Sequence, residues 1–113
     1  MAHTYKQLGQ SRPSSTTAVS LYSPATSTTA IIKTIVICNT SGASAKYRLF
    51  HDDDGTTYDE TTAFAWDDEI DPAIDSKVPV EINICANGSS GNLAVRTDTA
   101  DALTFTAYGL EIT

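Results

Sequence analysis

The chain has 113 residues, 41% of them hydrophobic, and a formal net charge of −7. That length supports one domain with a core able to stand alone, and the apolar share excludes a disordered chain. No apolar run approaches the roughly 18 residues of a membrane helix, and seven Lys and Arg against fourteen Asp and Glu exclude nucleic acid as a partner, because phosphate binding needs a dense basic face.

Residues 1–18 read as an N-terminal arm. The opening "MAHTYKQLGQSRPSS" lacks the apolar stretch of a secretory signal, so synthesis and retention in the cytosol are expected. The segment is polar, unpatterned and interrupted by Pro13, and it reads either as a frayed terminus or as an ordered arm docking on a neighbour. For a docking arm the contact residues are His3, Tyr5, Lys6, Leu8 and Arg12.

Seven strands are predicted in the remainder, 19–113. "AVSLYS" (18–23) is short and stops at Pro24. "AIIKTIVICN" (30–39) is the strongest, with Ile31, Ile35 and Ile37 on one face and Ile32, Val36 and Cys38 on the other, as in a strand covered on both sides. "TSGAS" (40–44) is turn chemistry. In "AKYRLFH" (45–51), Ala45, Tyr47, Leu49 and His51 oppose Lys46, Arg48 and Phe50. The short link predicts an antiparallel hairpin of these two strands.

"TTAFAW" (61–66) is a short strand, and "DDEIDPAIDSK" (67–77) a long acidic connection. "VPVEINICA" (78–86) sets Val78, Val80, Ile82, Ile84 and Ala86 on one face, with Pro79 near its start, where a missing N–H is tolerated. Turns at 87–91 and 98–101 separate "NLAVRT" (92–97) from "ALTFTAYGLEI" (102–112). Threonine-rich, β-branched strands at this spacing, with no apolar helical period, predict an all-β chain. The architecture expected is an antiparallel β-sandwich, jelly-roll-like, with an extended N-terminal arm.

Charge is unevenly spread. Residues 1–51 contain five basic residues and no acid, and residues 52–75 contain ten acids, the last of them Asp75, and no base. Such a division allows like subunits to meet through opposite charges. Within the acidic stretch, "HDDDGTTYDE" (51–60) suggests a calcium loop. With Gly55 as the loop glycine, however, Phe50 and Thr61 fall where a helix–loop–helix site needs carboxylates. The leading reading is an exposed acidic hairpin tip, with Asp52, Asp53, Asp54, Asp59 and Glu60 in water and Asp54–Gly55 at the turn; a looser calcium site in a β-loop is the alternative.

No other constellation carries chemistry. His3 and His51 with Cys38 and Cys85 match no zinc spacing, and the cysteines read as small buried hydrophobes. There is no G-x-S-x-G elbow, P-loop or Rossmann glycine pattern. Asn39 and Asn87 begin glycosylation sequons but read as turn residues in a chain without a signal peptide. The aromatics Tyr47, Phe50, Phe64, Trp66, Phe105 and Tyr108 alternate on strands, as core residues do. Neither a catalytic residue, a cofactor nor a metal site is expected.

Three stretches carry a resemblance over about 90% of the chain. They are "TYKQLGQSRP" followed by "LYSPATSTTAIIKTIVICNTSG", then "YRLFHDDDGTTYDETTAFAWD", then the closing "ALTFTAYGLEI". Together they resemble small virion structural proteins of tailed bacteriophages. Where those carry proline–alanine–glycine after "LY", this chain has "SPATS", without the glycine. The resemblance implies a non-enzymatic virion component made in the host bacterial cytoplasm. The leading reading is a capsid decoration (cement) protein on the phage head, a homotrimer bound to the major capsid protein or other virion proteins, with no membrane. The alternative is a tail, collar or fibre component that contacts the host surface, with Tyr58, Phe64 or Trp66 in a binding loop. A small lectin-like or hydrolytic sandwich is a third reading, which no acid pair or nucleophile–base pair supports.

Overall fold

A computed structural model of the chain describes residues 2–73, 76–86, 88 and 90–113. Asp75 of the acidic stretch and Asn87 of the second sequon lie outside the described residues. Eight strands follow one another: β1 (His3–Ser11), β2 (Val19–Tyr22), β3 (Thr29–Asn39), β4 (Ala45–Asp52), β5 (Ala63–Ile70), β6 (Lys77–Ala86), β7 (Asn92–Thr97) and β8 (Leu103–Ile112). They form two four-stranded sheets, sheet A in the order β1-β8-β3-β6 and sheet B in the order β2-β7-β4-β5. Every neighbouring pair is antiparallel. The chain is an all-β antiparallel sandwich. Its pairing is nested, first strand with last and inward to β4 with β5, across the two layers. No helix is long and apolar enough to cross a membrane among the described residues, which says nothing of strands.

The core lies between the sheets, where alternate side chains of each strand meet. Ile32, Ile35, Ile37, Leu103 and Phe105 of sheet A face Tyr47, Leu49, Leu93 and Val95 of sheet B. Burying an aliphatic or aromatic side chain of this size contributes about 1.5–3 kcal/mol. Val78, Val80 and Ile82 pack against this cluster, as the alternation of β6 predicts.

Five expectations are corrected. First, β3 does not keep one phase. Its pairing with both neighbours shifts between Ile32 and Thr34, and the irregularity puts Ile32 with Ile35 and Ile37 in the core while Ile31 joins Val36 and Cys38, all half-buried, on the other face. A bulge changes face parity because the side-chain period is two. β1 is irregular beside it, between Gln7 and Gly9. Gly109 sits at this line, where an added Cβ would meet the Ile31 carbonyl oxygen at 2.1 Å. Three strands approach there too closely for a side chain.

Second, β3 and β4 are not a hairpin, since they belong to different sheets. Asn39, 5% exposed, turns the chain between them. Its Nδ2 donates to the carbonyls of Ala43 at 2.7 Å and Ile70 at 3.0 Å, and its Oδ1 accepts from Ser41 N at 2.9 Å. Third, the strand expected at 61–66 runs to Ile70, which is 1% exposed and pairs with Ala45. The acids Asp67, Asp68 and Glu69 that read as a loop stand exposed on this edge strand, where water solvates them and discourages strand addition.

Fourth, the arm is not separate from the sandwich. Residues 3–11 form β1, hydrogen-bonded along β8 of the same chain. Their polarity misleads because β1 is an edge strand that lends the core only Leu8. The link 12–18 is tied down as well, since Asp101 N donates to the Pro13 carbonyl at 2.9 Å and Arg96 Nε to the Thr16 carbonyl at 2.7 Å. Fifth, the cysteines are not buried: Cys38 is half-buried and Cys85 exposed, and both are free. Cys85 pairs with Ile31, seven residues or about 23 Å along β3 from Cys38, too far for a disulfide. In the "SPATS" turn, Ser27 adopts φ 65°, the left-handed conformation that a glycine takes more easily.

Candidate functional site: two outer faces and an edge

The docking residues expected in the arm do not converge. His3 is exposed opposite Ile112. Lys6 lies 3.3 Å from Glu111 Oε1, whose other oxygen accepts from Tyr22 Oη at 2.6 Å. These two bonds hold the Glu111 carboxyl below its usual range, with the tyrosine bond the larger effect. Burial, then the same carboxylate, pushes the Tyr22 hydroxyl far up. Arg12 Nε donates to the Asp101 carbonyl at 3.1 Å. Lys6, Leu8 and Arg12 thus have partners inside the chain, and Tyr5, 76% exposed, is presented outward, as is His3.

Tyr5 belongs to an apolar row. Register places Tyr5, Leu110, Ile31 and Cys85 side by side across all four strands of sheet A. Leu110 stands outside the inner core cluster. Beside the row, Tyr5 and Tyr108 flank a shallow recess with Lys33. β1 bounds this face, and β8 is its one partner strand among the described residues. Its nine residues carry Lys6 as their one full charge, whereas the edge strand β6 carries Lys77, Pro79 and Glu81 and the edge strand β5 carries Asp67, Asp68 and Glu69. Edges are normally guarded by charge or proline. β1 is the least guarded long edge.

The outer face of sheet B differs. The β4–β5 loop and the link 12–18 both fold back over it and leave an open cleft of about 420 Å³. Arg48, Phe50, Tyr58, Trp66 and Arg96 line it together with 16–18 of the link. β5 gains one residue relative to β4 between the Leu49–Ala65 and Tyr47–Asp68 pairs, and Asp67 there takes φ 55°. Such a bulge re-aims side chains, and here Trp66 and Asp67 both reach Arg48. The guanidinium lies 3.6 Å from the Trp66 ring centroid. It donates to both Asp67 oxygens, from Nε at 2.6 Å and Nη2 at 3.0 Å. That bidentate bond holds the Asp67 carboxyl below its usual range. Phe50 meets Trp66 edge-on at 6.3 Å and Tyr58 at 6.1 Å. Burial raises the Tyr58 hydroxyl above its ordinary value. Phe64 is exposed but not among the cleft residues.

The acidic loop is a hairpin loop, joining β4 to β5 of one sheet. Asp53, Asp54, Asp59 and Glu60 are exposed. Asp52 is not: it is 8% exposed and serves as the acceptor that folds the loop, taking Thr57 N at 2.8 Å and Asp54 N at 3.1 Å. Those bonds lower its carboxyl, and a hydrogen bond with Asp52 raises that of Asp54. Asp59 likewise accepts from Thr61 N at 2.8 Å. The correction has a simple cause: an Asp followed by turn residues caps backbone N–H groups. Among the described residues no three His, Cys, Asp or Glu side chains gather as metal ligands.

Arg48, Asp67 and Arg96 escaped sequence reasoning. The only signal was the alternation that set Arg48 beside Phe50; that Arg48 pairs with Arg96 is a matter of register. No protein-family model, curated protein or solved structure matches the chain at a significant level.

Proposed function

We propose that the protein is a structural component of a phage particle, a decoration protein that binds the outside of the head and assembles as a homotrimer. The observation that carries this reading is the meeting of the least guarded edge, β1, with the apolar row through Tyr5, Leu110 and Ile31. An open edge adds main-chain hydrogen bonds to a neighbour, and the adjoining row supplies area to bury at Tyr5 and, in part, at Ile31, Leu110 being only 8% exposed already. Repetition over a lattice multiplies each modest contact. Many bound copies then stabilise the assembled shell by mass action. The resemblance to small virion proteins supplies the particle.

The test is the number of copies per purified particle, by quantitative mass spectrometry. Decoration requires on the order of hundreds, since avidity depends on repetition. A dozen or fewer would move the protein to the tail or connector. The double variant Ile31→Asp, Tyr108→Ser should fold and sediment as a monomer that no longer binds heads; a variant that still binds removes sheet A from the interface. The tail or fibre reading, with host-surface binding, is favoured by one observation of its own, the aromatic cleft on sheet B.

A further inference from the structure

The cleft on sheet B has a composition that selects among ligands. Arg48 is neutralised by Asp67 through two hydrogen bonds. Arg96, its cross-strand neighbour, commits its Nε to the Thr16 carbonyl, and no described residue accepts from its two Nη groups. Asp59 and Glu60 stand on the same cleft, with the hydroxyls of Thr16, Thr17 and Thr56. Trp66 keeps 41% of its surface exposed, although the Arg48 guanidinium covers one face of its ring at 3.6 Å, so a ligand meets the part of the ring that Arg48 leaves open.

An anionic ligand would meet two carboxylates here, Asp59 and Glu60, and a cationic one the Arg96 guanidinium, Arg48 being already paired with Asp67. A wholly apolar ligand would strip water from these donors and acceptors without replacing it, leaving each of them unpaired. A neutral polyhydroxyl ligand with one apolar face avoids all three penalties. Its hydroxyls donate to carboxylates and accept from a guanidinium, and its C–H face lies against an aromatic ring. The volume is within the range of small-ligand sites. We infer that this cleft binds a neutral pyranose unit of a saccharide, held by Arg96 and Glu60 and packed on Trp66. The proposal stands on sheet B alone, whatever covers sheet A.

Trp66 is the chain's one tryptophan, so its fluorescence reads the cleft. The intact protein is titrated at pH 7 with methyl glucoside, methyl galactoside and N-acetylglucosamine, with glucuronate as the charged comparison. At least one neutral sugar should give a saturable change in Trp66 emission in the millimolar range. Arg96→Gln should weaken that binding at least tenfold, and Glu81→Gln, on the exposed edge of the other sheet, should leave it unchanged. Because Arg96 also anchors the link, Glu60→Gln serves as a second variant, with at least a threefold loss expected. No saturable change with any neutral sugar overturns the proposal, as does equal binding by both variants. Stronger binding of glucuronate than of every neutral sugar makes the cleft an anion site instead.

Discussion

Phe50 and Tyr108 are both aromatic and both point away from the sandwich interior, one from each sheet, yet Phe50 is 2% exposed and Tyr108 43%. Their own strands do not explain the difference. Over Phe50 lie Tyr58 from the β4–β5 loop and Trp66 from a bulged edge strand, while Tyr108 faces a shallow recess shared with Tyr5 and Lys33. Both long connections that return to a sheet, 12–18 and 53–62, return to sheet B. An outer face becomes a small second core or a bare surface according to where the loops come back. In this molecule that division separates a candidate ligand cleft from a candidate assembly face.

The comparison is broken most directly by truncating both rings. Phe50→Ala should cost about 3–5 kcal/mol in denaturant unfolding, the range for removing a buried aromatic side chain. Tyr108→Ala should stay within about 0.5 kcal/mol, as most surface substitutions do. Similar losses at the two sites would mean that the loops give Phe50 no real cover.

Acid should act next, and mainly through sheet B. The Asp67, Asp52 and Asp59 carboxyls are all held below their usual range, as is Glu111 at the end of sheet A. A depressed carboxylate stabilises the fold above the unfolded value of about 4 and loses that contribution as pH falls through its lower folded value. Asp54, raised by Asp52, works in the opposite sense but alone. The melting temperature should therefore be flat from pH 7 to about pH 5 and fall below about pH 4. In Arg48→Met the fall should be shallower, because Asp67 loses the partner that depresses it. Equal slopes in the two proteins would remove the Arg48–Asp67 pair from the account.

The smallest effect separates neighbours within the acidic loop. Asp52→Asn should lower the melting temperature at pH 7, since it weakens the acceptor of two backbone N–H groups. Asp54→Asn should leave it unchanged or raise it, because it removes repulsion from Asp52 and Asp53. The reverse order would restore the loop to a uniformly solvated tip. Asparagine suits the turn in both cases, so each substitution tests charge rather than backbone geometry.

Much of this was legible in the residues. The alternation of 78–86 and 45–51 separated the two faces of each strand correctly, and turn chemistry placed seven of the strands, although the one expected at 61–66 runs on to Ile70. β1 was missed because an edge strand needs little apolar patterning; its stability comes from main-chain bonds to β8. The hairpin expected of β3 and β4 failed because a short polar link looks the same whether it returns within a sheet or crosses between two. Here the buried amide of Asn39, bonded to Ala43 and Ile70, makes it cross. Tyr58 and Trp66 could be named as candidates, but Arg96, 30 residues further along the chain, could not be joined to them.

The sequence by itself determined an all-β sandwich, most of its inward-facing residues and the acidic hairpin loop, because side-chain period and turn preference are local properties. Tertiary structure alone decided the rest. It chose which sheet each strand joined, shifted β3 by one residue so that Ile32 rather than Ile31 entered the core, and drew Asp52 out of solvent. It also set Arg48 beside Arg96 and under Trp66. Each of these depends on register between strands distant in sequence, and register is settled only when the two inner faces close on each other and the pairing that buries the most apolar surface excludes the others.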